Sequence, residues 1–170
     1  MKEFLKTFSG TANKSQILIG LTGLLIGTLV YIVDRPPDQT YFVYCSPFNI
    51  SLFKVLPIFF GTLGNNLPTF IHVFSFSLLT AGFISCQKRG SLIICMGWFL
   101  VDSAFELGQE YYSWALEIIP DWFAEIPFLE NTKSYFVHGT FDYYDLAAIT
   151  IGAVIAYFTL LATIKRRVPS

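Results

Sequence analysis

Asp102, Glu106 and Gln109 follow one another at spacings of four and three residues inside an otherwise apolar stretch, residues 91–109. On an α-helix, positions i, i+4 and i+7 share one face, so two acids and an amide line up along one surface. Ionisable groups are costly inside a bilayer and are functional candidates by default. His72 lies five residues into a second apolar stretch, residues 67–86, and a rise of about 1.5 Å per residue sets it at the depth of Glu106. Asp145 opens a further apolar stretch, with Asp142 just before it. Together His72, Asp102, Glu106, Gln109, Asp142 and Asp145 form a candidate ligand-binding set around an outward-opening polar pocket, in which Glu106 and His72 share a proton. The same residues also have plain structural uses. Asp102 can hydrogen-bond a neighbouring helix, Asp145 can serve as a helix N-cap, and His72 can be a packing residue.

Catalysis and metal binding find little support. No GxSxG or HExxH element accompanies the acids, which leaves a non-catalytic reading. The only histidines are His72 and His138, and Cys45, Cys86 and Cys95 form no CxxC pair, so no metal site and no cofactor are expected. The three cysteines fall at different depths of the topology below, and no internal disulfide is expected.

The elements that must position these residues are membrane-spanning helices. Charged residues make up 14% of the 170 positions against about 25% in soluble domains, so much of the surface must face lipid. Four apolar stretches are long enough to cross about 30 Å of hydrocarbon: residues 15–33, 67–86, 91–109 and 146–164. The first is longer than the apolar core of a signal peptide and reads as a retained anchor. Gly20, Gly23 and Gly27 recur along it at helix-packing spacing, suited to close contact within the bundle or with a partner helix. The predicted fold is all-α: a single membrane domain over residues 1–170, built as a bundle of four transmembrane helices.

Two longer connections complete the chain. Residues 48–62 are apolar but too short to span, and Pro57 interrupts them. Residues 111–129 carry Tyr111, Tyr112, Trp114, Trp122, Phe123 and Phe128 among scattered acids. Trp and Tyr favour the membrane–water interface, so both connections are expected on the outer membrane surface as amphipathic, interfacial segments.

Lys and Arg orient the bundle. With the N-terminus inside, the inner side holds Lys2, Lys6, Lys14, Lys88, Arg89, Lys165, Arg166 and Arg167, and the outer side only Arg35, Lys54 and Lys133. The positive-inside rule then places both termini in the cytoplasm. The outer side collects Asp34, Asp38, Glu110, Glu117, Asp121, Glu125, Glu130, Asp142 and Asp145. A net charge of −1 offers no basic stripe for a nucleic acid.

Several elements resemble the VanZ-like family of small bacterial membrane proteins. Phe105-Glu106-Leu107-Gly108-Gln109 is similar to the family's Glu-Leu-x-Gln element. Gly139-Thr140-Phe141-Asp142-Tyr143-Tyr144-Asp145 and the following Leu146–Ala153 run resemble its Gly-Arg-x-x-x-x-Asp and Asp-x-x-x-Asn-x-x-Gly segments, and Phe70-Ile71-His72-Val73-Phe74 its His-bearing second helix. Thr140 stands where the family has Arg, and Ile149 where it has Asn. The resemblance covers about residues 67–160. It implies a multi-pass protein of the bacterial inner membrane with an outward-facing polar site, acting at the cell envelope. Two functions follow as expectations: binding of an amphiphile or lipid head group from the outer leaflet, or service as a small accessory subunit among other membrane protein subunits. Membrane lipids are partners in either case.

Overall fold

The computed structural model describes residues 12–37, 50–126 and 129–164. Among them the chain is all-helical, without strands. Four long helices, α1 (Lys14–Asp34), α2 (Leu63–Ile84), α3 (Lys88–Glu110) and α6 (Tyr143–Thr163), are each long and apolar enough to cross a membrane. Two short helices, α4 (Tyr112–Ile118) and α5 (Thr132–His138), and a 3-10 turn at Asp121–Glu125 fill the connection between α3 and α6. This is a multi-pass membrane bundle.

α2 packs on all three other long helices and is the most buried of the four. Its seam with α1 is made by the glycine series. A Cβ on Gly20 would stand 2.9 Å from Leu79 Cγ and 3.0 Å from the Ser75 carbonyl oxygen. One on Gly27 would stand 3.1 Å from Ile71 Cγ2, and one on Gly23 would strike Ser75 Oγ. The missing side chains let the two backbones approach, so the glycine face is used within the bundle. Leu78, Ala81, Cys86, Ile94, Cys95, Ala156 and Leu160 form the core where α2, α3 and α6 meet. Cys86 and Cys95 are free thiols within it, and Cys45 lies outside the described residues.

A polar clasp joins the ends of the bundle opposite the long connections. Asn13 donates its side-chain N–H to the Thr163 carbonyl at 2.8 Å and its backbone N–H to the Gly82 carbonyl at 2.8 Å. Gln16 Nε2 donates to Thr163 Oγ1 at 3.0 Å. Lys14, Lys88 and Arg89 lie at this end; Lys2, Lys6 and Lys165–Arg167 of the charge argument fall outside the described residues, as do Asp38 and Phe128.

The helix boundaries differ from the sequence expectation at three places. α2 starts at Leu63 rather than 67, so Asn65 and Asn66 are helical and Pro68 lies inside the helix. Proline removes the N–H that the Gly64 carbonyl would accept. Arg35 supplies the replacement: its Nη2 donates to the carbonyls of Gly64 at 3.3 Å and Asn65 at 2.7 Å. Asp34 fixes the approach to this turn by accepting the backbone N–H groups of Phe59 and Phe60. The basic turn at Lys88-Arg89 belongs to α3, because Ser85 in the left-handed region ends α2 early. α6 starts at Tyr143, and its N-cap is Asp142, which accepts from the Tyr144 N–H at 2.9 Å; Asp145 lies in the first turn instead.

Candidate functional site

Hydrogen bonds sort the six candidate residues into two groups rather than one pocket. The first lies at the loop-bearing end, where α2, α3, α5 and α6 converge. Glu106, 4% exposed, accepts the Asp142 backbone N–H on Oε1 at 2.8 Å and the Gln109 amide on Oε2 at 3.2 Å. The Gln109 amide also donates to the Tyr135 hydroxyl of α5 at 2.7 Å. Across the bundle, Asn66 donates to Asp145 Oδ1 at 2.9 Å, with a longer contact to Asp142 Oδ2 at 3.5 Å. The helical spacing of Glu106 and Gln109 brings them together on one face, as their order along the chain requires.

Tyr135 and Asn66 belong to this group and are absent from the sequence-derived set. Asn66 precedes the second apolar stretch and Tyr135 follows the aromatic run of residues 111–129, so neither shares a periodic element with the acids. The Tyr135 side chain is 46% exposed, but its hydroxyl points inward. Burial first, and then the nearby Glu106 carboxyl, push the phenol above its ordinary value of 10.0. Tyr135 is therefore a neutral hydroxyl that can accept from Gln109 and still donate.

α5 is held in place by packing as well. Phe136, Ala115 and Ile119 form a small second core with Phe105 at the end of α3. Gly108 lies directly under the Phe136 ring, and Gly139 against the Gln109 amide. The Glu-x-x-Gln spacing and the two flanking glycines thus build one joint, with polar bonds on one side and aromatic packing on the other.

The second group is His72 with Asp102. Their Nδ1 and Oδ2 atoms are 2.7 Å apart. The His72 side chain is 47% exposed and that of Asp102 10%. The Phe76 ring lies 4.4 Å from the imidazole, and the Trp98 indole is edge-on to it at 5.9 Å. Trp98 is fixed by its N–H bond to Thr80 Oγ1 at 3.0 Å. His72 is bonded to Asp102 and not to Glu106. Counted from the loop end, His72 lies nine residues into α2 and Glu106 four residues into α3, so His72 sits about one turn deeper than Glu106 and level with Asp102.

Among the described residues, no Lys or Arg pairs with Glu106, Asp142 or Asp145. Nor do the described residues include a group of three or more His, Cys, Asp or Glu side chains suited to a metal ion. An open depression of about 470 Å³ lies close by, lined by Asp34, Arg35, Ile58, Thr62 and Asn65 among others. None of the six candidate residues lines it. Around this end Tyr143 and Tyr144 are 77% and 74% exposed, and Trp114 and Trp122 also face outward, so the polar joint is ringed by the residue types that prefer a membrane interface.

No family model, no curated protein and no solved structure matches this chain.

Proposed function

We propose that the chain is a VanZ-like protein of the bacterial inner membrane that binds an amphiphile of the outer leaflet by its head group, without catalysis. The observation that carries this reading is the convergence of Glu106, Asp142 and Asp145 with Asn66, with no Lys or Arg at ion-pair distance from the three acids among the described residues. Both oxygens of Glu106 are taken by the protein, so it positions the others. Asp142 and Asp145 are only partly buried and keep lone pairs for a ligand. An acceptor-rich site of this kind suits a cationic or neutral head group. Exposed Tyr143, Tyr144, Trp114 and Trp122 flank the site at the level an interfacial head group would occupy.

Orientation supports the same reading. Lys14, Lys88 and Arg89 lie at the opposite end and Arg35, Lys54 and Lys133 at this one; counted over the whole sequence, the Lys and Arg bias favours the opposite end as the cytoplasmic one. Reporter fusions to the C-terminus check this independently.

The deciding experiment is native mass spectrometry of the full-length protein, extracted from its membranes in mild detergent. The expected result is a protein peak with a bound amphiphile of defined mass, lost in the double variant Asp142→Asn/Asp145→Asn and retained in a Leu29→Val control on the lipid-facing side of α1. Unchanged binding in the double variant refutes the site. A stoichiometric set of other membrane subunits without bound amphiphile makes the chain an accessory subunit instead.

A further inference from the structure

His72 and Asp102 take no part in the head-group site, and their depth sets them apart from it. His72 is nine residues, about 14 Å, from the loop-end start of α2, and Asp102 is eight residues, about 12 Å, from the corresponding end of α3. In helices of 22 and 23 residues, about 33–35 Å long, both lie near the middle of the span. Asp102 lies one helical turn below Glu106, beneath the level of the loop-end joint, and acyl chains offer neither donor nor acceptor. Yet half of the imidazole faces outward. Exposure of an ionisable pair to hydrocarbon is strongly disfavoured unless a polar group covers it.

The unused atoms of the pair define that group. One contact joins His72 Nδ1 to Asp102 Oδ2. His72 Nε2 and Asp102 Oδ1 carry no hydrogen bond among the described residues. In the tautomer that carries a proton on Nε2, each molecule offers one free N–H donor and one free carboxyl acceptor, side by side. This arrangement is its own complement. A two-fold axis along the membrane normal sets His72 of one molecule against Asp102 of the other, and the reverse, as an isologous interface requires. We propose that a second copy of this chain docks on the α2–α3 face, closing a ring of alternating His72 and Asp102 side chains at mid-membrane.

The surface around the pair suits such a contact. His72, Phe76 and Phe83 follow one another at i, i+4 and i+11, so they share one stripe of α2. Phe83 is 66% exposed. Phe76 and Trp98 pack in a tilted contact with ring centres 4.9 Å apart, and the Trp98–Thr80 bond holds this wall in place. The stripe gives apolar contact on the inner side of the ring, while the ring supplies the directional bonds.

The test is energy transfer between full-length molecules carrying donor or acceptor dyes at the C-terminus, in phosphatidylethanolamine–phosphatidylglycerol liposomes of increasing lipid-to-protein ratio. Wild-type protein is expected to dimerise. His72→Phe, which keeps the ring volume, should weaken dimerisation by about tenfold or more, since two interhelical bonds are lost. The exchange His72→Asp/Asp102→His should restore much of the loss, because it preserves the alternation. A second measurement is independent of any polar substitution. Phe83→Cys, in a Cys45→Ser background, should give a homodimer band with a short bismaleimide. Wild-type protein that stays monomeric at every density overturns the proposal. So does His72→Phe that dimerises normally, or energy transfer without a Phe83→Cys cross-link, which would place the dimer on another face.

Discussion

The two polar groups are built from similar side chains at neighbouring turns of α3, yet they are closed to different degrees. Glu106 is buried and bonded on both oxygens, to a backbone N–H and to an amide. Asp102, one turn deeper, has a single partner, and that partner is half exposed. Residue type alone does not separate a structural acid from an open one. The difference lies in what the neighbouring elements bring. At the loop end, Asp142 at the start of α6 supplies a backbone donor, Gln109 of α3 an amide donor, and Tyr135 of α5 a hydroxyl that accepts from that amide. At mid-span only apolar helix faces are available. A buried acid that is satisfied by its own chain acts as a joint, and one left with a free oxygen invites an outside partner.

The sharpest way to break this comparison is to remove each acid in turn. Glu106→Ala leaves the Asp142 N–H and the Gln109 amide without their charged acceptor, and should cost about 3 kcal/mol in detergent unfolding experiments. Asp102→Ala removes one bond to an exposed ring and should cost about 0.6 kcal/mol. Equal losses would erase the distinction between joint and open pair.

A second test asks whether closure also distinguishes the glycines. Gly23→Ala drives a methyl group into Ser75 across the α1–α2 seam and should destabilise by about 1–3 kcal/mol. Gly97 of α3 has open space where a Cβ would stand. Gly97→Ala should therefore be neutral or stabilise by up to about 1 kcal/mol, from helix propensity alone. Thermal unfolding of the two variants side by side reads the contrast.

The smallest expected effect concerns the joint at high pH. The Tyr135 phenol is raised in the folded protein by burial and by Glu106. Its contribution is complete below the ordinary phenol value of 10.0 and is lost as pH climbs from there toward the raised value. Wild-type protein should lose stability in that alkaline window more steeply than Tyr135→Phe. Parallel slopes would show that the hydroxyl plays no part in holding α5.

Apolar run length made the four spans legible, because a bilayer sets their length. The pairing of Glu106 with Gln109 was legible too, since both lie on one helix. What escaped was set by distant contacts. The early start of α2 is accompanied by Arg35, which bonds the carbonyls of the proline-broken turn, and by Asp34, which holds the approach to it, both twenty-five or more positions away in the chain. A depth counted from position 67 rather than 63 therefore sets His72 level with Glu106, whereas its hydrogen-bond partner is Asp102. Tyr135 escaped because its short helix shows no long apolar period, although Gly139 four residues on marks a close approach of backbone to Gln109.

The clasp between Asn13 and Thr163 has a consequence for how the protein is made. Its two ends are 150 residues apart. At ribosomal speeds of about 5–20 residues per second, α1 leaves the ribosome roughly 8–30 s before its clasp partner exists. α1 can pair early with α2 through the glycine seam, but Asn13 and Gln16 keep unmet donors at the membrane edge until the last helix is inserted. The newborn chain thus carries a built-in marker of incompleteness. Those donors find their partners only when α6 is in place.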